Sequence, residues 1–221
     1  LEVEDGTQGG GAEDAVAELG VEAKYLESQA ITDFEPNLLA FVDDQCELIV
    51  TVGFLLGDAT KASAEANPDI NYTIIDYSYD PAIPNVVGQL FQTDEAAFLA
   101  GYMAAGMTKT GKVGTFGGIP IPPVTIFMDG FTRGVKYYNQ VKGTAVEVLG
   151  YDLTDPAKGL YTNDFEDQTK GNQFAVSLMD EGADIILPVA GPVGLGAAAA
   201  VKERGNAWII GVDADWYNTV P

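Results

Sequence analysis

Histidine does not occur in the 221 residues, and cysteine occurs once, at Cys46. The first absence removes the serine and cysteine triads that depend on an imidazole base, and most zinc sites with them. The second removes any disulfide within the chain and any cysteine-based metal spacing. Cations are scarce as well: 11 Lys and Arg stand against 33 Asp and Glu, a formal net charge of −22. A chain with so little to neutralise phosphates is a poor partner for nucleic acid or for an anionic membrane surface. The acids are spread along the sequence rather than clustered, which is the pattern of a solvated surface. No run of 18 apolar residues is present, and residues 1–20 lack the basic, apolar and small-residue regions of a signal peptide. What remains is an apolar fraction of 47%, enough for a packed core in one large domain or two small ones.

Strand and helix patterns alternate along the chain. Residues 1–20 read as the end of a helix that opens outside the sequence, with a flexible Gly9-Gly10-Gly11 and an amphipathic stretch stopped by Gly20. VEAKYLES (21–28) alternates as a strand, DFEPNLLAFVDDQ (33–45) predicts a helix opening at Asp33, and ELIVTVG (47–53) a buried strand with Cys46 as a small buried residue at its start. LLGDATKASAEANP makes a helix closed by Pro68, and INYTIID (70–76) and NVVGQL (85–90) make two more strands. A second series follows: strand KVGTFGG (112–118), a helix from Pro122-Pro123, strand TAVEVLGYD, a polar stretch, a helix ending near Glu181, strand ADIILPVAG, a helix closed by Gly205, and strand AWIIGVDAD. Such alternation implies parallel β–α–β units with helices on both faces of the sheet. The two series suggest two lobes, residues 1–92 and 93–221, meeting near Phe91-Gln92-Thr93-Asp94.

Ligands of open α/β sheets sit outside the carboxyl ends of the strands, so the residues that follow strands are the site candidates. Thr93 is placed to cap the helix after the strand NVVGQL, which puts Asp94 in the first turn, where the helix dipole favours a carboxylate. Asp94 either serves that helix end alone or also touches a ligand. Residues 96–107 (AAFLAGYMAAGM) are apolar on nearly every side, as in a buried helix. Gly53-Phe54, Gly117-Gly118, Gly191 and Asp213 each follow a predicted strand. Phe165, an aromatic in a polar segment, is a loop anchor packing back on the core or a stacking platform for a planar ligand. The run Gly191-Pro192-Val193-Gly194-Leu195-Gly196, with Asp213 beyond the next strand, raises a dinucleotide site. Its glycine order is G-x-x-G-x-G rather than G-x-G-x-x-G, and Pro192 removes an amide donor.

The segments LIVTVGFLLGDATKASAEANPDINYTIID, NVVGQLFQTDEAAFLAGYMAAGMTKTGKVGTFGG, DFEDQTKGNQFAVSLMDEGADIILPVAGPVGLG and WIIGVDAD together resemble the basic membrane protein (BMP) family, the substrate-binding lipoproteins of ABC importers that include purine nucleoside receptors. The likeness spans residues 21–216 or so. It implies an α/β fold of the type 1 periplasmic-binding-protein class: two doubly wound, Rossmann-like lobes hinged around a cleft. It also implies that Asp94 is a cleft carboxylate, that Phe165 stacks on the base, that Gly191 offers a backbone contact and that Asp213 accepts ribose hydroxyls. Phe54 and Trp216 are further cleft candidates. The family's first strand and its closing elements, with a ligand-binding lysine, are not found here, so the chain reads as truncated at both ends. The long polar stretch at 151–165 leaves Tyr161 as an alternative to Phe165.

The resulting expectation is an extracytoplasmic receptor, at the cell surface or in the periplasm, and not an enzyme. It would be monomeric, without cofactor or metal, with a purine nucleoside as ligand and ABC permease subunits as partners. A lipid anchor outside this sequence would be its sole membrane contact. The rival readings are the same fold binding a sugar or another small polar solute, a nucleotide-dependent α/β enzyme, and a ligand-responsive transcription regulator. The enzyme lacks a phosphate loop or an activated nucleophile here, and the regulator lacks a basic DNA-binding head. Because a charge of −22 repels itself, added NaCl should raise the thermal midpoint at neutral pH as the repulsion is screened. Scanning calorimetry between low and molar salt measures this, and a midpoint that is flat or falls would remove self-repulsion as a force on the fold.

Overall fold

The structure is a computed structural model that describes residues 10–28, 30–213 and 215–220. Residues 1–9 of the expected opening helix lie outside the described residues. The chain forms two compact units, one ending at Phe91 and the other opening at Gln92.

The first unit contains α1 (Gly10–Leu19), α2 (Phe34–Asp43), β1 (Leu48–Val52), α3 (Gly57–Ala66), β2 (Asn71–Ile75) and β3 (Val86–Gln89). Short 3₁₀ turns at Ile31–Asp33 and Phe54–Leu56 lead into α2 and α3. The strands form a parallel sheet in the order β1-β2-β3. Ile49 of β1 and Tyr72 and Ile74 of β2 are buried against Phe34, Leu38 and Phe41 of α2. Asn85 ties the unit together, its side-chain amide donating to the carbonyls of Ala64, Asn67 and Ile70.

One expected strand of this unit is not formed. Residues 21–28 are irregular and almost wholly exposed, although their apolar residues alternate. Period-2 alternation yields a strand when a ladder partner and a buried face exist, and no strand is paired to the outer edge of β1 among the described residues. Cys46 is half-buried rather than buried.

The second unit runs α4 (Thr93–Met107), β4 (Lys112–Gly117), α5 (Pro122–Lys142), β5 (Glu147–Leu149), α6 (Gln168–Asp180), β6 (Ile185–Val189), α7 (Val193–Arg204), β7 (Trp208–Ile209) and α8 (Trp216–Thr219). Its sheet is parallel throughout, in the order β5-β4-β6-β7. Alternate residues of β6 divide the core: Ile185, Leu187 and Val189 pack with Met128, Phe131 and Val135 of α5, whereas Ile186 packs with Ala175 and Leu178 of α6 and Ala197 of α7. A sheet covered on both faces explains why β6, IILPV, is buried at every position. Pro188 is tolerated in this inner strand because its nitrogen faces the β7 side, where pairing stops at Ile186 and Ile209.

The N-cap of α4 is Gln92, without a side-chain cap bond, so Thr93 is the first helical residue and not the cap; Asp94 does fall in the first turn. Nor is α4 buried on nearly every side. Ala97, Gly101, Ala104 and Ala105 are buried, but Leu99, Met103 and Met107 are 69%, 55% and 50% exposed. The apolar run hid a two-sided helix, because α5 covers one face only. Glycines let the two helices touch backbone to backbone. A Cβ at Gly101 would stand 2.0 Å from the carbonyl oxygen of Phe131, and one at Gly134 2.0 Å from that of Phe98. Below this pair, Asp184 closes the turn from α4 to β4, accepting from the Thr108 hydroxyl and from the backbone N–H groups of Lys109 and Thr110. No helix among the described residues is long and apolar enough to cross a membrane.

Gly134→Ala should lower stability by about 2 kcal/mol or more through overpacking, although alanine favours an isolated helix by about 1 kcal/mol. Gly11→Ala, where nothing lies within 4 Å, should be neutral or stabilising. Urea unfolding of both variants measures the contrast, and equal effects would mean that the α4–α5 spacing is not held by the missing side chain.

Candidate functional site

Three of the expected residues of the second unit converge where β4 and β6 end. At the end of β4, Gly117 donates to the carbonyl of Leu160 while Thr162 and Asn163 donate to the carbonyls of Gly117 and Gly118. These bonds lay the segment 160–163 along the strand end as a short parallel continuation, through the bridge of Gly117 and Tyr161. The next residues turn back, and the half-buried ring of Phe165 settles on Gly118, where a Cβ would stand 2.3 Å from its Cε1. Gly191, two residues beyond β6, borders the same ring: a Cβ there would be 4.0 Å from Phe165 Cδ1. Its φ of +51° suits glycine. Phe165 thus both packs toward the core, among Val189 and its neighbours, and lies over the strand ends.

Tyr161, the alternative aromatic, is occupied otherwise. Its hydroxyl donates to the Pro156 carbonyl at 2.8 Å, and its ring fits against Gly117 and Gly159. Burial raises its pKa, with the Asp129 charge adding to the effect.

The loop that carries Phe165 is held by two carboxylates. Asp164 Oδ1 accepts from the backbone N–H of Glu166 at 2.7 Å and of Asp167 at 2.8 Å, and its Oδ2 from Lys170 Nζ at 2.9 Å. Asp167 is the N-cap of α6, accepting from Thr169 and Lys170 N–H. The Thr162 hydroxyl donates to the Asp164 carbonyl at 2.8 Å. The backbone bonds from Asp167 and Glu166, then the Lys170 contact, hold the Asp164 carboxyl well below the usual carboxylate range. The two acids three residues apart, Asp-x-x-Asp ahead of a helix, were a signal in the sequence that went unused, since an Asx turn followed by a cap has that spacing.

Trp216, the first residue of α8, folds back so that its ring covers Gly194, in the first turn of α7, and Gly211. A Cβ at Gly194 would be 2.6 Å from the ring and one at Gly211 2.4 Å. This sets the indole beside the helix that Gly191 leads into. The G-x-x-G-x-G run therefore serves packing: Gly194 receives the indole, and Gly196 lies against the Gln168 carbonyl, where a Cβ would be 1.8 Å away. Pro192 is the N-cap of α7, and the N–H groups of Val193, Gly194 and Leu195 donate to Ala190, Gly191 and Pro192. Asp213 follows β7 on an exposed left-handed residue, φ +66°. Asp94 is exposed, and its backbone lies against Gly130 of α5, where a Cβ would be 2.4 Å from its carbonyl oxygen. Phe54 belongs to the first unit, half-buried in the 3₁₀ turn after β1. Among the described residues no cluster of His, Cys, Asp or Glu could hold a metal ion.

Because the Asp164 carboxyl is held low, it should remain an acceptor, and the turn should persist, until the pH falls well under the ordinary aspartate value of about 3.9. The sign follows from linkage: a depressed folded-state pKa adds stability above the unfolded value and withdraws it as the pH drops toward the folded one. An NMR titration of the Asp164 carboxyl carbon checks this, and an inflection at or above the ordinary value would mean that the turn is not held by the charged form.

Residues 9–221 match the family described as ABC transporter substrate-binding protein PnrA-like (Bmp). Basic membrane protein A1 of Borrelia garinii subsp. bavariensis is 36% identical over 193 residues, covering 86% of this chain and 53% of that protein. The ABC transporter nucleoside-binding protein BmpA of Lactococcus lactis subsp. cremoris is 32% identical over 218 residues, covering 96% of this chain and 58% of that protein. Among solved structures, an ABC transporter solute-binding protein of Aeropyrum pernix K1 superposes with a TM-score of 0.78 at 35% identity, covering 95% of this chain and 58% of that one. The chain thus spans little more than half the length of the relatives it matches.

Proposed function

Since the chain belongs to the PnrA-like ABC transporter substrate-binding family and shares the type 1 periplasmic-binding-protein fold of its solved relatives, we propose that it captures a purine nucleoside for an ABC importer and catalyses no reaction. The observation that carries this reading is Phe165, a flat ring seated on the glycine-lined ends of β4 and β6, with Gly118 beneath it and Gly191 beside it. A planar base stacks well on such a platform, a contact typically worth about 1–3 kcal/mol. The sugar calls for different chemistry. A carboxylate can accept from two vicinal hydroxyls at once, and Asp213, on its exposed turn after β7, is the residue assigned to that task. Asp94 is the second carboxylate of the proposal, and the ligand's polar edge is its target. Trp216 beside the start of α7 and Phe54 after β1 are the further aromatic contacts proposed. The nucleoside-binding name of the Lactococcus relative supports the ligand class.

In the same reading the protein acts outside the cytoplasmic membrane as a monomer, tethered by a lipid, and delivers its ligand to the permease subunits of the transporter. Lobe rotation around the ligand is the motion expected of such a receptor.

Calorimetric titration of the protein that carries this sequence against guanosine, adenosine, inosine, uridine and ribose tests the proposal. Purine nucleosides should bind best. Phe165→Ala should weaken them by roughly 5- to 150-fold, the equivalent of one lost base stack, and Asp213→Ala should abolish measurable binding. Ribose binding with no gain from the base would transfer the protein to the sugar receptors, and silence toward all five would end the nucleoside reading.

A further inference from the structure

The strand ends supply a floor for the Phe165 ring. The loop that carries the ring is held by side chains on either side of it. Asp164 bridges across Phe165, reaching from the residue before it to the N–H groups of the two residues after it, at 2.7 and 2.8 Å. The second oxygen of the same carboxylate is held by Lys170 at 2.9 Å, from the first turn of α6. Phe165 therefore sits inside a ring of bonds anchored to the start of a 13-residue helix. On the other side, the Thr162 hydroxyl holds the Asp164 carbonyl at 2.8 Å.

We propose that Asp164, braced by Lys170, is a positioning residue that presets the Phe165 ring for the ligand. It touches no ligand itself and acts by removing the freedom that the loop would otherwise lose on binding. This inference rests on the stacking role given to Phe165 above. Ordering one mobile side chain and its loop beforehand is an effect of about 3- to 10-fold in affinity.

The test is a double-mutant cycle on the whole protein, read by guanosine titration. Phe165→Leu alone examines the stacking role: if it leaves affinity unchanged, that role fails, and the positioning role fails with it. Given a loss in Phe165→Leu, Asp164→Ala should weaken guanosine about 3- to 10-fold, whereas in the Phe165→Leu background it should have no further effect, since nothing is left to position. Additive losses would overturn the proposal and make Asp164 a general structural residue, and an Asp164→Ala protein that binds as tightly as the parent would overturn it as well. Asp164→Asn keeps an acceptor oxygen toward Glu166 and Asp167 and should restore most of the affinity. Hydrogen exchange at those two amides, read without ligand, should quicken in Asp164→Ala and stay slow in Asp164→Asn. Equal exchange in all three proteins would show that the carboxylate does not hold the loop.

Discussion

An aromatic ring can lie on the end of a strand only where the strand ends without a side chain. Gly118 meets that condition at β4, and much of the second unit's upper surface follows from it. A methyl group there would occupy the space of the Phe165 ring. The bonds of Thr162 and Asp164 set the path of residues 162–167 around the ring, and that path leads to Asp167 at the start of α6. Trp216 repeats the principle on Gly194 and Gly211. Two large rings and a handful of absent Cβ atoms thus shape the surface where the strands of this unit terminate.

Deeper in the unit, glycine has another use. Gly101, Gly130 and Gly134 bring α4 and α5 together through carbonyl contacts, a spacing that larger residues forbid. This leaves α4 with a thin buried edge of alanine and glycine and a broad outer face of Leu99, Met103 and Met107. The helix is apolar in composition and two-sided in environment.

The legible part of the fold was what depends on local sequence. Runs such as LIVTV and IILPV marked strands β1 and β6, and Gly205, a left-handed cap, closed α7. Reading failed where the outcome depends on a neighbour. VEAKYLES alternates as a strand should, yet alternation cannot supply the ladder partner that this segment lacks among the described residues. At the site, strand-end position singled out Gly118 and Gly191, and polar surroundings singled out Phe165, but the contact between them comes from the crossing of two distant segments. Asp164 was missed for a simpler reason. Two of its bonds come from backbone N–H groups, and composition treats such a carboxylate as one more surface charge.

That last point extends to other acids of the chain. Asp152, Asp164, Asp167, Asp184 and Asp215 each accept from at least one backbone N–H group, so these acids are hinge pins of turns and helix starts, Asp164 with Lys170 as an added partner. Ion pairs between exposed side chains fade as salt screens them, whereas a carboxylate seated on amide donors one bond away is screened far less. A chain articulated in this way keeps its joints in brine, where a fold fastened chiefly by lysine and arginine would loosen.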